Sequence, residues 1–241
     1  MRYAVVSDIH SNLEALSIVF DRMKPTDGLL CLGDIVGYGP NPNECVEMIR
    51  ARQTATVLGN HDLAAVDGFG LPFFNPAARE AIQWTQTVLT EENRSWLNDL
   101  GYEFRMPGFL MVHGAPVNYF EYLLDMDGAA RAFAATDAPL IFIGHTHIAE
   151  HWSQAPDGTV SHKHLQHGGE VLLEEGARYI VNVGSVGQPR DLNPQASFAF
   201  YEPTERRITV ERFDYPISAV QEKIGACHLP LALATRLEHG R

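Results

Sequence analysis

Five short segments of the chain carry side chains able to hold metal ions. They are Asp8-Ile9-His10, Gly33-Asp34, Gly59-Asn60-His61-Asp62, a single His113, and Gly144-His145-Thr146-His147. The ligand atoms on offer are carboxylate oxygen, amide oxygen and imidazole nitrogen, with no cysteine among them. Such a mixed set suits Mn, Fe, Zn, Co or Ni, whereas structural zinc favours cysteine and an EF-hand calcium loop has another carboxylate pattern. A carboxylate has two oxygens, so Asp34 alone can touch two ions. Two divalent ions roughly 3.5–4 Å apart can share a bridging hydroxide and clamp the attacking and leaving oxygens of a phosphoryl transfer. The amide of Asn60 contributes a neutral oxygen, which leaves such a pair with positive charge for a phosphate. The chemistry these residue types point to is two-metal phosphoester hydrolysis.

Taken singly, each segment has an ordinary explanation. Asp8-x-His10 fits a turn that caps a helix, Gly33-Asp34 any strand-end turn, and a lone His113 a satisfied core or loop histidine. Gly59-Asn60-His61-Asp62 says more, because three polar groups crowd a strand end where a plain turn needs one. His145 and His147 alternate, and alternate residues of an extended chain share a face. The force of the pattern lies in five successive strand ends carrying compatible ligands.

The elements that must position these residues are legible in the hydrophobic pattern. Tyr3–Ser7 reads as a strand, and Ser11-Asn12-Leu13-Glu14 has capping-box spacing ahead of a helix running to about Met23. Leu29–Leu32 is a second strand ending in Gly33-Asp34, Glu44–Arg50 a helix, and Thr54–Leu58 a third strand. This βαβαβ order predicts a parallel sheet with helices packed on it. Ligands of open α/β sheets bind outside the carboxyl ends of the strands, where these residues fall. Pro76–Leu89 and Glu91–Leu100 read as helices, the second capped by Thr90. Tyr102–Met106 and Phe109–His113 read as a hairpin, Tyr119–Ala135 as a helix weakened by Gly128, and Leu140–Ile143 as a buried strand. Six strands follow: Ala149–Gln154, Thr159–Leu165, Glu170–Leu173, Arg178–Val183, Ser197–Tyr201 and Arg207–Phe213. Pro216–Ile224 and Leu231–Leu237 close the chain as helices. A two-sheet sandwich flanked by helices is the natural assembly, and no repeat or linker divides residues 1–241, which are expected to form one domain.

Composition narrows the function. Thirty acidic against eighteen basic residues give a net charge of −12, which disfavours nucleic acid as a partner. No apolar run is long enough to span a bilayer, and the chain opens directly on a strand-like run, so no signal peptide is expected. Cys31, Cys45 and Cys227 are scattered without CxxC spacing, as expected of reduced thiols in a cytoplasmic protein. Trp84 and Trp96 read as helix-packing anchors. His151, His162, His164 and His167 have irregular spacing and no evident carboxylate partner, and read as a solvated surface. The Gly-rich stretch Asn182–Asp191 either brings Arg190 to a phosphate or is a turn with an exposed Arg–Asp pair.

The order D-x-H, G-D, G-N-H-[DE], H, G-H-x-H resembles that of the calcineurin-like metallophosphoesterase superfamily over essentially the whole chain, and is most similar to its small bacterial members. The resemblance implies a four-layer α/β/β/α sandwich of two mixed sheets flanked by helices. It implies that Asp8, His10, Asp34 and His147 hold one metal, that Asp34, Asn60, His113 and His145 hold another, and that His61 faces the substrate. Protein phosphatases and symmetrical diadenosine tetraphosphatases continue Gly-Asp into an Arg-containing G-D-x-V-x-R-G. Here the stretch reads Gly33-Asp34-Ile35-Val36-Gly37-Tyr38-Gly39, without that arginine. The expectation is a hydrolase of small phosphate mono- or diesters, with two divalent ions (Mn, Fe or Zn) and in-line attack by a metal-bridging hydroxide. His61, with an ordinary pKa near ~6.5, would protonate the leaving oxygen, its ring oriented by Asp62, and Arg190 would bind substrate. The alternatives are a nuclease, a dinucleoside polyphosphate hydrolase, or a non-catalytic scaffold of the same fold.

Overall fold

Apolar runs buried on both faces set the architecture, which the computed structural model describes for residues 1–52 and 55–241. The first six-stranded sheet contains β1 (Tyr3–Val6), β2 (Gly28–Cys31), β3 (Ala55–Thr56), β9 (Gly169–Leu172), β11 (Ala196–Glu202) and β12 (Arg207–Phe213), in the order β3-β2-β1-β11-β12-β9. The second contains β4 (Glu103–Met106), β5 (Phe109–Val112), β6 (Leu140–Ile143), β7 (Ala149–Gln154), β8 (Val160–His164) and β10 (Arg178–Val183), in the order β4-β5-β6-β10-β7-β8. Each sheet is mixed. β1, β2 and β3 run parallel in one, β5, β6 and β10 in the other, and the remaining pairings are antiparallel.

The two-residue period of the strands divides their apolar side chains between layers. Val5, Leu30, Phe142, Val181 and Ala199 point between the sheets and form one core cluster. Ala4, Val6, Cys31, Phe198 and Phe200 point outward from the first sheet. They meet the apolar faces of α1 (Leu13–Arg22), α2 (Pro42–Arg50), α4 (Pro76–Val88), α5 (Glu91–Asn98), α7 (Ile217–Ala226) and α8 (Leu231–Thr235). Ile141, Ile143, Trp152 and Ile180 point outward from the second sheet onto Ala129, Ala132 and Phe133 of α6 (Met126–Ala135). The result is the expected α/β/β/α sandwich of two mixed sheets flanked by helices. Trp84 and Trp96 pack against the outer core of the first sheet, and Cys31 is buried in it.

The structure departs from the expected elements in a few places. Asn12, not Ser11, caps α1: its Oδ1 accepts from the Ala15 amide at 3.1 Å. Glu14 is instead ion-paired with Lys223 of α7. Asn60 to Asp67 forms a helix, α3, that the sequence pattern did not announce; at eight residues its apolar face is too short to show a period. Residues 119–125 are not helical. Asp125 takes the N-cap of α6, accepting from Gly128 at 2.7 Å, and Glu121 donates back to Asn118 in a turn. The third strand is confined to Ala55–Thr56, with Val57 bridging to Gly101, and Thr54 lies outside the described residues.

Phe142 is fully buried between the sheets, edge-on to both Phe109 and Tyr201. Truncation to alanine removes a large aromatic from a site with little room to collapse, so Phe142→Ala should cost about 3–5 kcal/mol of unfolding free energy. Urea denaturation that finds less than about 1 kcal/mol would mean that the two sheets do not share one packed interior.

Candidate metal centre

The ends of the parallel strands of both sheets converge on one point. Asp8 follows β1, Asp34 follows β2 by way of Leu32 and Gly33, and Asn60 opens α3. From the other sheet, His113 follows β5, while His145 and His147 lie in the turn between β6 and β7. The chain bends sharply at each. Asp8, His10, Asp34, His145 and His147 all have positive φ, between 48° and 69°. Non-glycine residues adopt this left-handed conformation at a cost of about 1–3 kcal/mol each, and it clusters where function over-determines the backbone. Close approach of the segments also requires glycine. A Cβ on Gly59 would lie 2.1 Å from Asp34 Oδ1, and one on Gly37 would lie 2.4 Å from His61 Nδ1.

Hydrogen bonds hold one side of each group and leave the other side aimed at its neighbours. Asp8 Oδ2 accepts from Ser7 Oγ at 2.6 Å and the His145 amide at 3.0 Å; Asp34 Oδ1 accepts from the His61 amide at 2.8 Å. Asp8 Oδ1 and Asp34 Oδ2 are buried with no hydrogen-bond partner among the described residues. The imidazoles are similarly anchored through Nδ1: His10 to Val36 O at 3.1 Å, His113 to Leu32 O at 2.8 Å and His147 to Gln188 O at 2.6 Å. Since a carbonyl only accepts, each Nδ1 donates, and each Nε2 presents a lone pair when the ring is neutral. Those Nε2 atoms face further acceptors: His10 Nε2 and His147 Nε2 are 3.0 Å apart, and His113 Nε2 is 3.1 Å from both Asn60 Oδ1 and His145 Nδ1. Orphaned carboxylate oxygens and opposed lone pairs are the donor arrangement of a metal site with its outer shell already in place.

Two overlapping groups could each hold an ion: Asp8, His10, Asp34 and His147, and Asp34, His113 and His145. Asp34 belongs to both, with Oδ2 3.6 Å from His10 Nε2 and 3.3 Å from His113 Nε2. Asn60 joins the second group through its amide oxygen. The structure therefore brings together all of the candidate ligands. Their electrostatics show how strongly the pocket demands positive charge. Burial alone would raise the two carboxyls, yet the facing imidazoles hold Asp8 and Asp34 below their ordinary values, led by His147 for Asp8 and His113 for Asp34. Burial would lower His113, yet Asp34 and Asp8 raise it to about 9.

His61 sits beside this cluster, its ring 4.8 Å from His10, 4.4 Å from Tyr38 and 4.8 Å from Phe74. Burial, opposed by Asp34 and reinforced by Arg190, pushes it down to about 4, so the ring is neutral near pH 7 rather than poised near its ordinary value. Asp62 does not orient that ring. Its carboxylate accepts from the amides of Val36, at 3.0 Å, and Gly59, at 3.2 Å, tying the loop after β2 to the start of α3. Arg190 is not paired with Asp191, which is bound instead by Arg212. Its guanidinium donates from Nη2 to Tyr38 Oη and Gln188 Oε1, both at 3.1 Å, and its Nε is buried without a partner. Arg236, unremarked in the sequence, adds a second cation 5.9 Å from the Tyr38 ring. A cleft of about 490 Å³, lined also by Tyr38, opens from Asn60, His61 and His145 between Phe69, Phe74, Phe120 and Tyr122. Tyr122 stacks on His145 at 4.0 Å.

The remaining histidines are only in part the solvated surface expected of them. His167 is exposed and His151 half-buried. His162 and His164, however, converge on Glu150, the carboxylate partner that the linear sequence did not reveal.

Comparison with known proteins places this geometry. The calcineurin-like phosphoesterase superfamily domain matches residues 1–206. The chain is 40% identical over 246 residues to an uncharacterized protein of Methanocaldococcus jannaschii, an alignment covering 99% of this chain and 98% of the other. It is also 40% identical to a metallophosphoesterase of known crystal structure from Sphaerobacter thermophilus, with a TM-score of 0.91 over 100% of this chain and 99% of that one. A hypothetical protein from Pyrococcus horikoshii OT3 shares the fold at 18% identity, with a TM-score of 0.78 over 100% and 98% of the two chains. A family match over most of the chain, joined to the buried Asp/His groups at the strand ends, shows that this protein belongs to the calcineurin-like phosphoesterase superfamily and is a metal-dependent hydrolase of phosphoric esters.

Proposed function

We propose that residues 1–241 form one metallophosphoesterase domain that hydrolyses a small phosphate mono- or diester at a two-metal centre. In this reading Asp8, His10, Asp34 and His147 hold one divalent ion (Mn, Fe or Zn), and Asp34, Asn60, His113 and His145 hold the other. The observation that carries it is the pair of buried, unpartnered oxygens, Asp8 Oδ1 and Asp34 Oδ2, ringed by imidazole nitrogens. Bound there, two divalent ions supply a nucleophile at neutral pH and the charge that a phosphoryl transition state requires.

The other side chains then divide the work of binding and proton transfer. His61 lies next to Asn60 and faces the cleft, where a bound phosphate supplies the counter-charge that its buried ring lacks. That anion raises its proton affinity, so His61 takes up a proton as substrate binds and passes it to the leaving oxygen. Arg190 stands in for the arginine missing after Gly33-Asp34. Tyr38 holds the guanidinium, and Nε is left to donate to a phosphate oxygen. Among the described residues the aromatic cleft has no Lys or Arg in its lining, which suits a flat, weakly charged group on a single phosphate better than a polyphosphate or nucleic-acid chain.

The bridging role of Asp34 is open to direct measurement. Bound manganese should fall by about two equivalents in Asp34→Ala and by about one in Asn60→Ala; an Asp34→Ala protein that retains both ions tightly would refute the shared ligand.

Proton donation by His61 should be worth most where the leaving oxygen is poor. General acid help contributes about 10²–10⁴-fold, so His61→Ala should lose that much against alkyl esters, far less against p-nitrophenyl esters, and should keep its metal. Equal losses for both leaving groups would make His61 a phosphate-positioning residue.

Phe69 and Phe73 line the cleft, and their side chains are exposed. Stacking of a base on an aromatic ring is worth about 1–3 kcal/mol. The double variant Phe69→Ala/Phe73→Ala should therefore raise KM for nucleoside phosphoesters by roughly fivefold or more and leave methyl esters unchanged; a uniform change across esters would remove the cleft from substrate recognition.

A further inference from the structure

Glu150, His162 and His164 meet on the outer face of the second sheet. β7 leaves the His145–His147 turn and pairs antiparallel with the edge strand β8, placing Glu150 opposite His164 and Trp152 opposite His162. Alternation along the two strands puts all of these side chains on the face where Trp152 packs towards α6. His162 Nε2 lies 2.7 Å and His164 Nδ1 lies 3.4 Å from Glu150 Oε2, and the three potential ligand atoms are all within 4.8 Å of one another.

Glu150 is 3% exposed, and among the described residues no lysine or arginine pairs with it. A carboxylate buried without a cation is costly. Burial and the nearby Asp191 raise this one to about 8. The two imidazoles are its nearest polar partners, at the spacing given above. For bonds of about 2.0–2.1 Å, the edge of a tetrahedral zinc site is about 3.3 Å; the His164 contact, at 3.4 Å, lies at that value, and the His162 contact, at 2.7 Å, is a hydrogen bond that an entering ion would replace. The His164 contact is also close to the spacing in the main centre, where Asp34 and His113 approach to 3.3 Å. The His162 ring is held in place by stacking on Trp152, 4.8 Å between centroids and 21° from parallel. The His164 side chain is 64% exposed, giving an ion a path from solvent and leaving room for water as a fourth ligand.

We propose that Glu150, His162 and His164 form a second, mononuclear site for a borderline divalent cation, with zinc the best match to one carboxylate and two imidazoles. Its place in the fold suggests what it does. β8 is an edge strand whose residues are mostly exposed, with little apolar packing to hold it. An ion shared by Glu150 on β7 and the two histidines on β8 fastens that edge to the strand that leads from the catalytic turn.

Zinc counting separates this site from the phosphoesterase centre. Chelator-stripped protein dialysed against buffered zinc should hold about one equivalent more than His162→Ala/His164→Ala, and that variant should keep its phosphoesterase activity. Glu150→Gln, a smaller change, should lose the same equivalent. Cobalt(II) gives a second readout. In a Trp84→Phe/Trp96→Phe background the remaining tryptophan, Trp152, lies under His162, so cobalt should quench its emission, with zinc competing and chelator reversing the effect. Equal zinc content in all three proteins, or emission indifferent to cobalt, would overturn the proposal and leave Glu150 and its histidines as a hydrogen-bonded cluster.

Discussion

Two carboxylates, Asp8 and Asp34, stand fully buried at the ends of adjacent parallel strands, and the rest of the structure answers to their charge. Charge taken out of water is tolerated only where it is paired. Here the pairing comes from imidazoles rather than from lysine or arginine, and this makes the site one for metal. A guanidinium would satisfy the carboxylates permanently, whereas an imidazole can give up its Nε2 proton and offer that lone pair to a cation. Backbone carbonyls enforce the point by fixing the protons of His10, His113 and His147 on Nδ1, away from the centre.

The sandwich exists, in this sense, to bring two sets of strand ends together. Of the candidate ligands, one sheet supplies Asp8, His10, Asp34 and Asn60, and the other His113, His145 and His147. Neither sheet carries a complete ligand set on its own. The apolar layer between the sheets is therefore part of the metal chemistry, since it sets the distance between the two halves. The left-handed residues at the turns are the local cost of aiming five side chains inward within short spans of chain. That cost is borne by the surrounding core rather than by flexibility at the site.

Around the centre the environment is asymmetric. Arg190 and Arg236, held near Tyr38, concentrate positive charge on one side. Aromatic rings from two segments outside the strands and α-helices, residues 69–74 and 120–122, line the cleft that begins at the same Tyr38. Irregular chain carries function where a rigid scaffold positions it, and both segments are anchored to the centre: Phe74 lies against His61, and Tyr122 stacks on His145. A phosphate would lie where the two sides meet, its charge towards the arginines and its organic group towards the rings.

Local pattern was enough to reveal much of this. Strands buried on both faces announce themselves as apolar runs, so the bounds of β6 and β10 could be read from residue type alone. The candidate ligands stood out from the sequence too, since chemistry of this kind needs particular atoms at strand ends and little else puts Asp and His there in that order. What the sequence could not determine were facts of proximity. Glu150 and His164 are neighbours through cross-strand register, and Arg190 meets Tyr38 across 152 positions of chain. α3 went unannounced because eight residues are too few to show a helical period, and residues 119–125 failed to continue a helix because Asp125 caps α6 and Tyr122 is held against His145. His61 carries the same lesson. Its identity suggested a proton donor at neutral pH, but its protonation depends on burial and on the charge of Arg190 beside it, and those belong to the tertiary structure.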